Sequence, residues 1–116
     1  MKRVVLLASS ILLLLNGDSL KCQKRDKSIY CTYFSDRSDN QKSIKLKFHW
    51  ISPQSPKDDR IRDIEIPPYY GSAYDYRFLP ERVQGHWIVK VTRLDSNRSI
   101  SSSFDINESD DEFFSN

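Results

Sequence analysis

Two asparagines lie in segments that an oligosaccharyltransferase could modify. Asn97 belongs to DSNRS, residues 95–99, and Asn107 belongs to DINES, residues 105–109, so both lie in the N-x-S acceptor triplet. An acidic residue two positions before each Asn extends the triplet to the longer form that bacterial oligosaccharyltransferases read. The same residue types favour tight turns, so each segment predicts either a modified Asn or a simple reversal of the chain.

Two cysteines, Cys22 and Cys31, flank a polar group, RDKS, that can reverse the chain at 25–28. Directly opposed residues on such a hairpin come close enough for a disulfide. A metal or redox pair would need closer spacing or more His and Cys partners. We therefore predict a structural disulfide in an oxidising compartment, which stabilises the fold by about 2–3 kcal/mol.

Four of the six tyrosines lie in one short segment, PPYYGSAYDYR, at 67–77. Tyr and Arg are enriched where proteins bind one another, because they offer a large contact area and a polar tip. Tyrosine rings also stack on sugars. The structural alternative is that Tyr74 and Tyr76 fill the core while Tyr69 and Tyr70 cover one end of it. The predicted binding surface consists of Tyr69, Tyr70, Tyr74, Tyr76 and Arg77.

Catalytic and cofactor motifs are not found in the sequence. A metal site built on His49 and His86 would need further ligands, and the chain has no other His and no free Cys beyond the predicted bridge. Neither a nucleophile elbow nor a glycine-rich phosphate loop occurs. We predict a protein that is not an enzyme and that uses no cofactor, no metal and no small-molecule substrate.

Alternation of apolar and polar residues with period two runs through the chain, which indicates half-buried strands rather than helices. The clearest strands are SIKLKFHWI, HWIVKVTRL and SISSSFDI, with RIRDIEI at 60–66 and SAYDYRF at 72–78 between them. With the cysteine hairpin, this gives about seven short strands, typical of an antiparallel β-sandwich. The predicted core residues are Phe48, Trp50, Trp87, Val89, Val91 and Phe104.

The first residues predict export. MKR precedes an apolar run of twelve residues, 4–15, which is too short to span a bilayer comfortably and has the layout of a signal peptide. We predict a signal peptide at 1–19, with cleavage after Gly17 or Ser19, a sandwich domain at 20–106 and a flexible acidic tail at 107–116. The alternative is an uncleaved segment that anchors the protein in the membrane.

Charge is unevenly distributed in the chain. Of 18 basic and 16 acidic residues, five acidic residues and no basic ones lie in the last twelve positions. The basic residues of the body are scattered rather than clustered, so they predict a solvated surface and not a nucleic-acid partner.

The succession FHWISP, YDYRFLP, GHWIVKV and FDI resembles small bacterial immunoglobulin-like envelope domains of unknown function. The resemblance covers residues 44–106, and its most specific parts are Phe48-His49-Trp50 and Gly85-His86-Trp87. It implies an immunoglobulin-like fold and an envelope location, and it implies no chemistry. The cysteine hairpin is not part of the pattern.

These features together predict a periplasmic, non-catalytic module that binds another envelope protein. The alternative is a carbohydrate or cell-wall binding module that uses the Tyr-rich segment 69–77. Exposed edge strands could also receive a strand from a partner.

Overall fold

The structure, a computed structural model, describes residues 17–37 and 39–111. Seven strands form the domain, namely β1 Ser19–Arg25, β2 Ser28–Phe34, β3 Ile44–Ile51, β4 Arg60–Ile66, β5 Ser72–Phe78, β6 Gly85–Arg93 and β7 Arg98–Ile106. A 3-10 helix, Pro56–Asp58, precedes β4, and one helical turn, α1 Glu108–Asp111, follows β7. The strands predicted from the alternating pattern are confirmed.

The strands form two antiparallel sheets, one of three strands in the order β1-β2-β5 and one of four in the order β4-β3-β6-β7. If the strands are lettered A to G along the chain, A, B and E share one sheet and C, F and G share the other. This is the order of an immunoglobulin-like sandwich in which D lies beside C instead of E. The predicted all-β sandwich is therefore confirmed.

The core lies between the two sheets and is built from alternate residues of β2, β3 and β6. Five of the predicted core residues are fully buried, namely Phe48, Trp50, Trp87, Val89 and Val91. Phe104 is only half-buried, because β7 is an edge strand, and its ring stacks on that of Trp87 at a centroid distance of 6.0 Å. The three-stranded sheet contributes Ile29, Cys31 and Tyr33 from β2.

The hairpin of β1 and β2 carries the predicted disulfide. Cys22 and Cys31 are opposite each other in the register, with Cα atoms 4.0 Å apart, and they are bonded. The reversal takes place at Asp26 and Lys27, and Asp26 adopts a positive φ of 55° that Asp tolerates in turns. The disulfide therefore joins the edge strand β1 to a strand that contributes to the core.

The predicted signal peptide lies mostly outside the described residues, but its predicted end does not. Ser19 is the first residue of β1, and Asp18 is bound by the fold: its carboxylate accepts hydrogen bonds from the Tyr33 hydroxyl, from the backbone N–H of Asp36 at 3.0 Å and from Arg93 at 3.1 Å. A boundary after Ser19 would remove these contacts, whereas one after Gly17 would keep them.

The start of the predicted flexible tail contacts strand β1. The backbone N–H of Asn107 donates to the Asp110 carboxylate at 2.8 Å, and Asp110 also pairs with Lys24 of β1 at 3.2 Å. Asp110 is buried by these contacts. Residues 107–110 therefore contact the folded domain through Asp110, the flexible tail stays a prediction, and residues 112–116 lie outside the described part. Within the residues that the structure describes, no helix is long and apolar enough to cross a membrane.

Candidate functional site

Strand β5 turns its tyrosines outward and its charged residues inward. Tyr74 and Tyr76 are 54% and 51% exposed, whereas Asp75 and Arg77 are only 3% and 8% exposed. The register explains this, because Asp75 lies opposite the buried residue Cys31 of β2. The structural alternative for Tyr74 and Tyr76 is therefore wrong. The assignment of Arg77 to an exposed surface is also wrong, since its side chain points into the sandwich.

The outward tyrosines belong to a larger surface, which we call the aromatic face. It is formed by the outward side chains of the three-stranded sheet, namely Ser19, Lys21, Gln23 and Arg25 of β1, Ser28, Tyr30, Thr32 and Phe34 of β2, and Ser72, Tyr74, Tyr76 and Phe78 of β5. Five of these twelve side chains are aromatic. Such a concentration of exposed aromatic rings on one face is unusual for a solvated sheet surface.

Ring contacts organise the centre of the aromatic face. Tyr30 stacks on Tyr76 at a centroid distance of 5.2 Å and contacts Tyr74 at 5.6 Å with tilted planes. The guanidinium of Arg25 lies 4.9 Å from the centroid of the Tyr30 ring, within the range of a cation–π contact. Because these rings restrain one another, they would lose little conformational freedom on binding.

The charge of the aromatic face has one sign. Lys21 and Arg25 are its only charged outward side chains, and both are cationic. A groove of about 420 Å³ runs between the two cations of β1 and the aromatic rings of β2 and β5, and it is lined by Lys21, Gln23, Arg25, Tyr30, Thr32, Phe34 and Tyr74. The face thus combines apolar area with hydrogen-bond donors and positive charge.

The other two predicted surface tyrosines lie in the loop between β4 and β5. Tyr69 and Tyr70 are 74% and 64% exposed, and Tyr69 has a positive φ of 71°. Arg37 fixes this loop by donating hydrogen bonds to the carbonyls of Pro67 at 2.8 Å and Tyr70 at 2.6 Å. The predicted binding surface is therefore divided between a loop and the aromatic face, and the sequence did not indicate Tyr30, Phe34 or Phe78 as part of it.

A buried carboxylate explains why β5 faces this way. Asp75 accepts a hydrogen bond from the indole N–H of Trp50 at 2.8 Å and one from Arg60 at 3.0 Å. A buried indole needs an acceptor, and a buried carboxylate needs a cation or several donors. Asp75 satisfies both needs at once. The inward position of Asp75 fixes the outward position of Tyr74 and Tyr76.

A second carboxylate holds the other inward charge of β5. Asp58 pairs with Arg77 at 3.3 Å and with Arg82 at 2.8 Å, and it accepts the backbone N–H of Val83 at 2.8 Å. The guanidinium of Arg77 lies 5.6 Å from the ring centroid of Trp87. Burial lowers the pKa of Arg77, and the nearby guanidinium groups lower it further. These charges serve the packing of β5 against the opposite sheet.

Both candidate acceptor asparagines are exposed, in different settings. Asn97 lies in the turn between β6 and β7 with a positive φ of 55°, so it does reverse the chain. Asn107 precedes α1, and its side-chain oxygen accepts a hydrogen bond from the Ser109 hydroxyl at 2.5 Å. The side chain and the backbone N–H of Asn107 are both engaged, which distinguishes this site from Asn97.

The two histidines lie on the outside of the four-stranded sheet. His86 pairs with Asp105 at 2.9 Å, and both side chains are largely exposed. His49 lies opposite Ile61 and Lys90 in the register. Across residues 17–37 and 39–111, no group of three or more His, Cys, Asp or Glu side chains could hold a metal ion.

Comparison with known proteins finds no matching family model, no matching curated protein and no matching solved structure. The resemblance to bacterial immunoglobulin-like envelope domains therefore stays a prediction.

Proposed function

We propose that this protein is an exported, non-catalytic interaction module of the bacterial cell envelope, and that it binds another envelope protein through the aromatic face. The observation that carries this proposal is the grouping of five aromatic side chains and two cations, with no carboxylate, on one outward sheet surface. Aromatic residues and Arg are the side chains enriched in the energetic centres of protein interfaces.

Export is supported by the signal-like apolar run and by the disulfide of Cys22 and Cys31, since disulfides persist in oxidising compartments. The bonds of Asp18 favour cleavage after Gly17 over cleavage after Ser19. An intact mass of the protein from its native host tests both points. A chain that begins at Asp18 and is two hydrogens lighter than the reduced form supports the proposal, and a full-length reduced chain contradicts it.

Capture from envelope extracts tests the binding surface. The double variant Tyr74→Ala/Tyr76→Ala removes two rings from the aromatic face, and it should lose the proteins that the wild type retains after mild cross-linking. The matched control is Ile61→Ala/Ile88→Ala, which removes two exposed apolar side chains from the outside of the four-stranded sheet. Capture that survives in the tyrosine variant would show that the aromatic face is not the binding surface.

Tyr69 and Tyr70, in the loop between β4 and β5, allow a separate test of where the binding surface lies. The segment 67–77 predicted them as part of the surface, and the structure places them in the β4–β5 loop. The variant Tyr69→Ala/Tyr70→Ala should retain most of the capture, because their rings lie outside the aromatic face. Loss of capture in this variant alone would show that the binding surface is the loop and not the aromatic face.

A carbohydrate-binding module is the second candidate, and the stacked rings of Tyr30 and Tyr76 favour it specifically. Flat exposed rings can stack on sugars, and the side chains of Gln23 and Arg25 offer donors to hydroxyl groups. Retention on cell-wall or glycan resin, lost in the variant Tyr74→Ala/Tyr76→Ala, would support this candidate. Elution in the void volume would exclude it.

We also propose Asn97 as the modified site if the host carries a bacterial oligosaccharyltransferase. Its turn is exposed and its side chain makes none of the contacts that engage Asn107. A glycan increment in the intact mass should disappear in Asn97→Gln and remain in Asn107→Gln. A glycan increment that disappears in Asn107→Gln and remains in Asn97→Gln would assign the modification to Asn107.

A further inference from the structure

We infer that the partner presents to the aromatic face an extended acidic segment that lies along β1, with two carboxylates four residues apart. This inference rests on the proposed function and names the chemistry of the partner. It follows from the spacing of the two cations, the strands that line the groove and the absence of carboxylates among the outward side chains of this sheet.

The two cations of the aromatic face stand at a fixed spacing. Lys21 and Arg25 both point outward from β1, with Gln23 between them, and four residues of strand correspond to about 13 Å. Arg25 is held in place over the ring of Tyr30. The spacing of these charges is therefore set by the backbone of a disulfide-bonded strand.

Charge compensation differs between the two sides of β1. Lys24, which points to the other side, is paired with Asp110 at 3.2 Å. Lys21 and Arg25 have no carboxylate among the other outward side chains of their sheet, and the nearest acidic residue along the chain, Asp26, lies in the β1–β2 turn. The cations of the aromatic face therefore favour a partner that supplies the carboxylates itself.

Most of the residues that line the groove lie along β1 and β2. Its lining alternates along β1 and β2, with Lys21 opposite Thr32 and Gln23 opposite Tyr30. An extended ligand places its alternate side chains at the same intervals as a strand does. Carboxylates at its first and fifth positions then meet Lys21 and Arg25, and an aromatic or proline side chain at its third position contacts the ring of Tyr30.

The test uses three synthetic peptides of nine residues and the purified, oxidised protein. GSESYSESG has glutamates four residues apart, GEESYSSSG has the same composition with adjacent glutamates, and GSKSYSKSG reverses the charge. We expect GSESYSESG to shift the backbone amide NMR signals of β1 and β2 and to bind about fivefold more tightly than either control peptide, since two exposed ion pairs each contribute little. The preference should shrink in 0.5 M salt, because exposed charges are screened.

The variant Lys21→Gln/Arg25→Gln should lose this preference, whereas Lys45→Gln/Lys47→Gln, on the outside of the other sheet, should keep it. Equal binding of the three peptides, or a preference that survives in the first variant, would overturn the inference. A polyanionic glycan that binds in place of the peptides would overturn it as well. The proposed function fails by a different result, namely unchanged capture of envelope proteins by Tyr74→Ala/Tyr76→Ala.

Discussion

The two outer faces of the sandwich expose different kinds of side chain to solvent. The outside of the four-stranded sheet, which we call the charged face, places cations of β3 opposite anions of β4: Lys45 lies opposite Glu65, and Lys47 pairs with Asp63 at 3.9 Å. The aromatic face has rings in place of these pairs and cations without carboxylates. A sheet surface with balanced charges is sufficient for solubility.

The inner sides of the two sheets also differ, because β3 places aromatic residues on its inner side and β5 places charged residues there. Strand β3 sends Phe48 and Trp50 into the core and its lysines outward, as a half-buried strand normally does. Strand β5 sends Asp75 and Arg77 inward and its tyrosines outward. The buried charges of β5 are satisfied by Trp50, Arg60 and Asp58, and the strand therefore exposes rings of a kind that β3 buries.

The largest expected effect comes from the carboxylate that sets this orientation of β5. Asp75→Ala leaves the Trp50 indole and the Arg60 guanidinium without their buried acceptor, so it should lower the free energy of unfolding by about 3–5 kcal/mol. Asp63→Ala, on the charged face, should change it by less than about 0.5 kcal/mol. Urea denaturation measures both. Equal effects would show that Asp75 does not hold β5 in place.

The next largest effect on stability is expected from the disulfide that joins β1 to β2. Reducing the disulfide of Cys22 and Cys31 should lower the free energy of unfolding by about 2–3 kcal/mol. The loss should be local, because β1 is an edge strand joined to β2. Hydrogen exchange of the reduced protein should accelerate in β1 more than in β6. Uniform acceleration across both sheets would contradict this picture.

A smaller effect on stability is expected from Asp18, which lies just before β1 and contacts Arg93 of β6. Asp18 pairs with Arg93 at 3.1 Å and accepts the Tyr33 hydroxyl. Burial raises the pKa of Asp18, but the hydrogen bonds from Tyr33, the Asp36 amide and Arg93 outweigh it, so the pKa is lowered. A lowered folded-state pKa stabilises the fold above the ordinary value near 3.8, and this contribution is lost as the pH falls below that value.

Asp18→Asn should therefore cost about 1–2 kcal/mol at neutral pH and less at pH 2–3. Asp95→Asn removes the other, more exposed partner of Arg93 and should cost less at neutral pH. Denaturation curves at several pH values test whether the cost of Asp18→Asn becomes smaller as the pH falls. An Asp18 effect that grows on acidification would contradict the assigned contacts.

The smallest effect on stability is expected on the aromatic face itself. Tyr74→Ala and Tyr76→Ala each remove a half-exposed ring, so each should cost roughly 0.5–1 kcal/mol, mainly through the ring contacts with Tyr30. Trp87→Ala, in the core, should cost about 3–5 kcal/mol. Thermal melts would separate these classes. A large loss for the tyrosines would make them structural residues.

Much of the fold could be predicted from the sequence because β3, β6 and β7 alternate with an apolar side that can only face inward. The same alternation in SAYDYRF has a polar side and an aromatic side, and hydrophobicity alone assigns the aromatic side to the core. The correct orientation depends on long-range partners: Trp50 needs an acceptor, and Arg77 needs Asp58. Neither requirement is visible in β5 alone.

The candidate site was therefore only partly predictable. The Tyr-rich segment pointed to Tyr74 and Tyr76, but Tyr30 joins them through strand pairing with β2, and strand order is not encoded locally. Arg25 lies in the hairpin that the sequence did predict, but nothing in the sequence indicated that its guanidinium lies over the ring of Tyr30. The acidic composition of the last residues suggested flexibility, and it gave no sign that Asp110 pairs with Lys24 of β1 and accepts the backbone N–H of Asn107.

Site-specific photo-crosslinking in the native host tests whether the aromatic face is the surface that binds a partner protein. A photoreactive residue in place of Tyr76 samples the aromatic face, and one in place of Ile61 samples the charged face at a similarly exposed position. We expect a discrete protein adduct from position 76 and none from position 61. An adduct from position 61 alone, or the same adducts from both positions, would contradict this expectation.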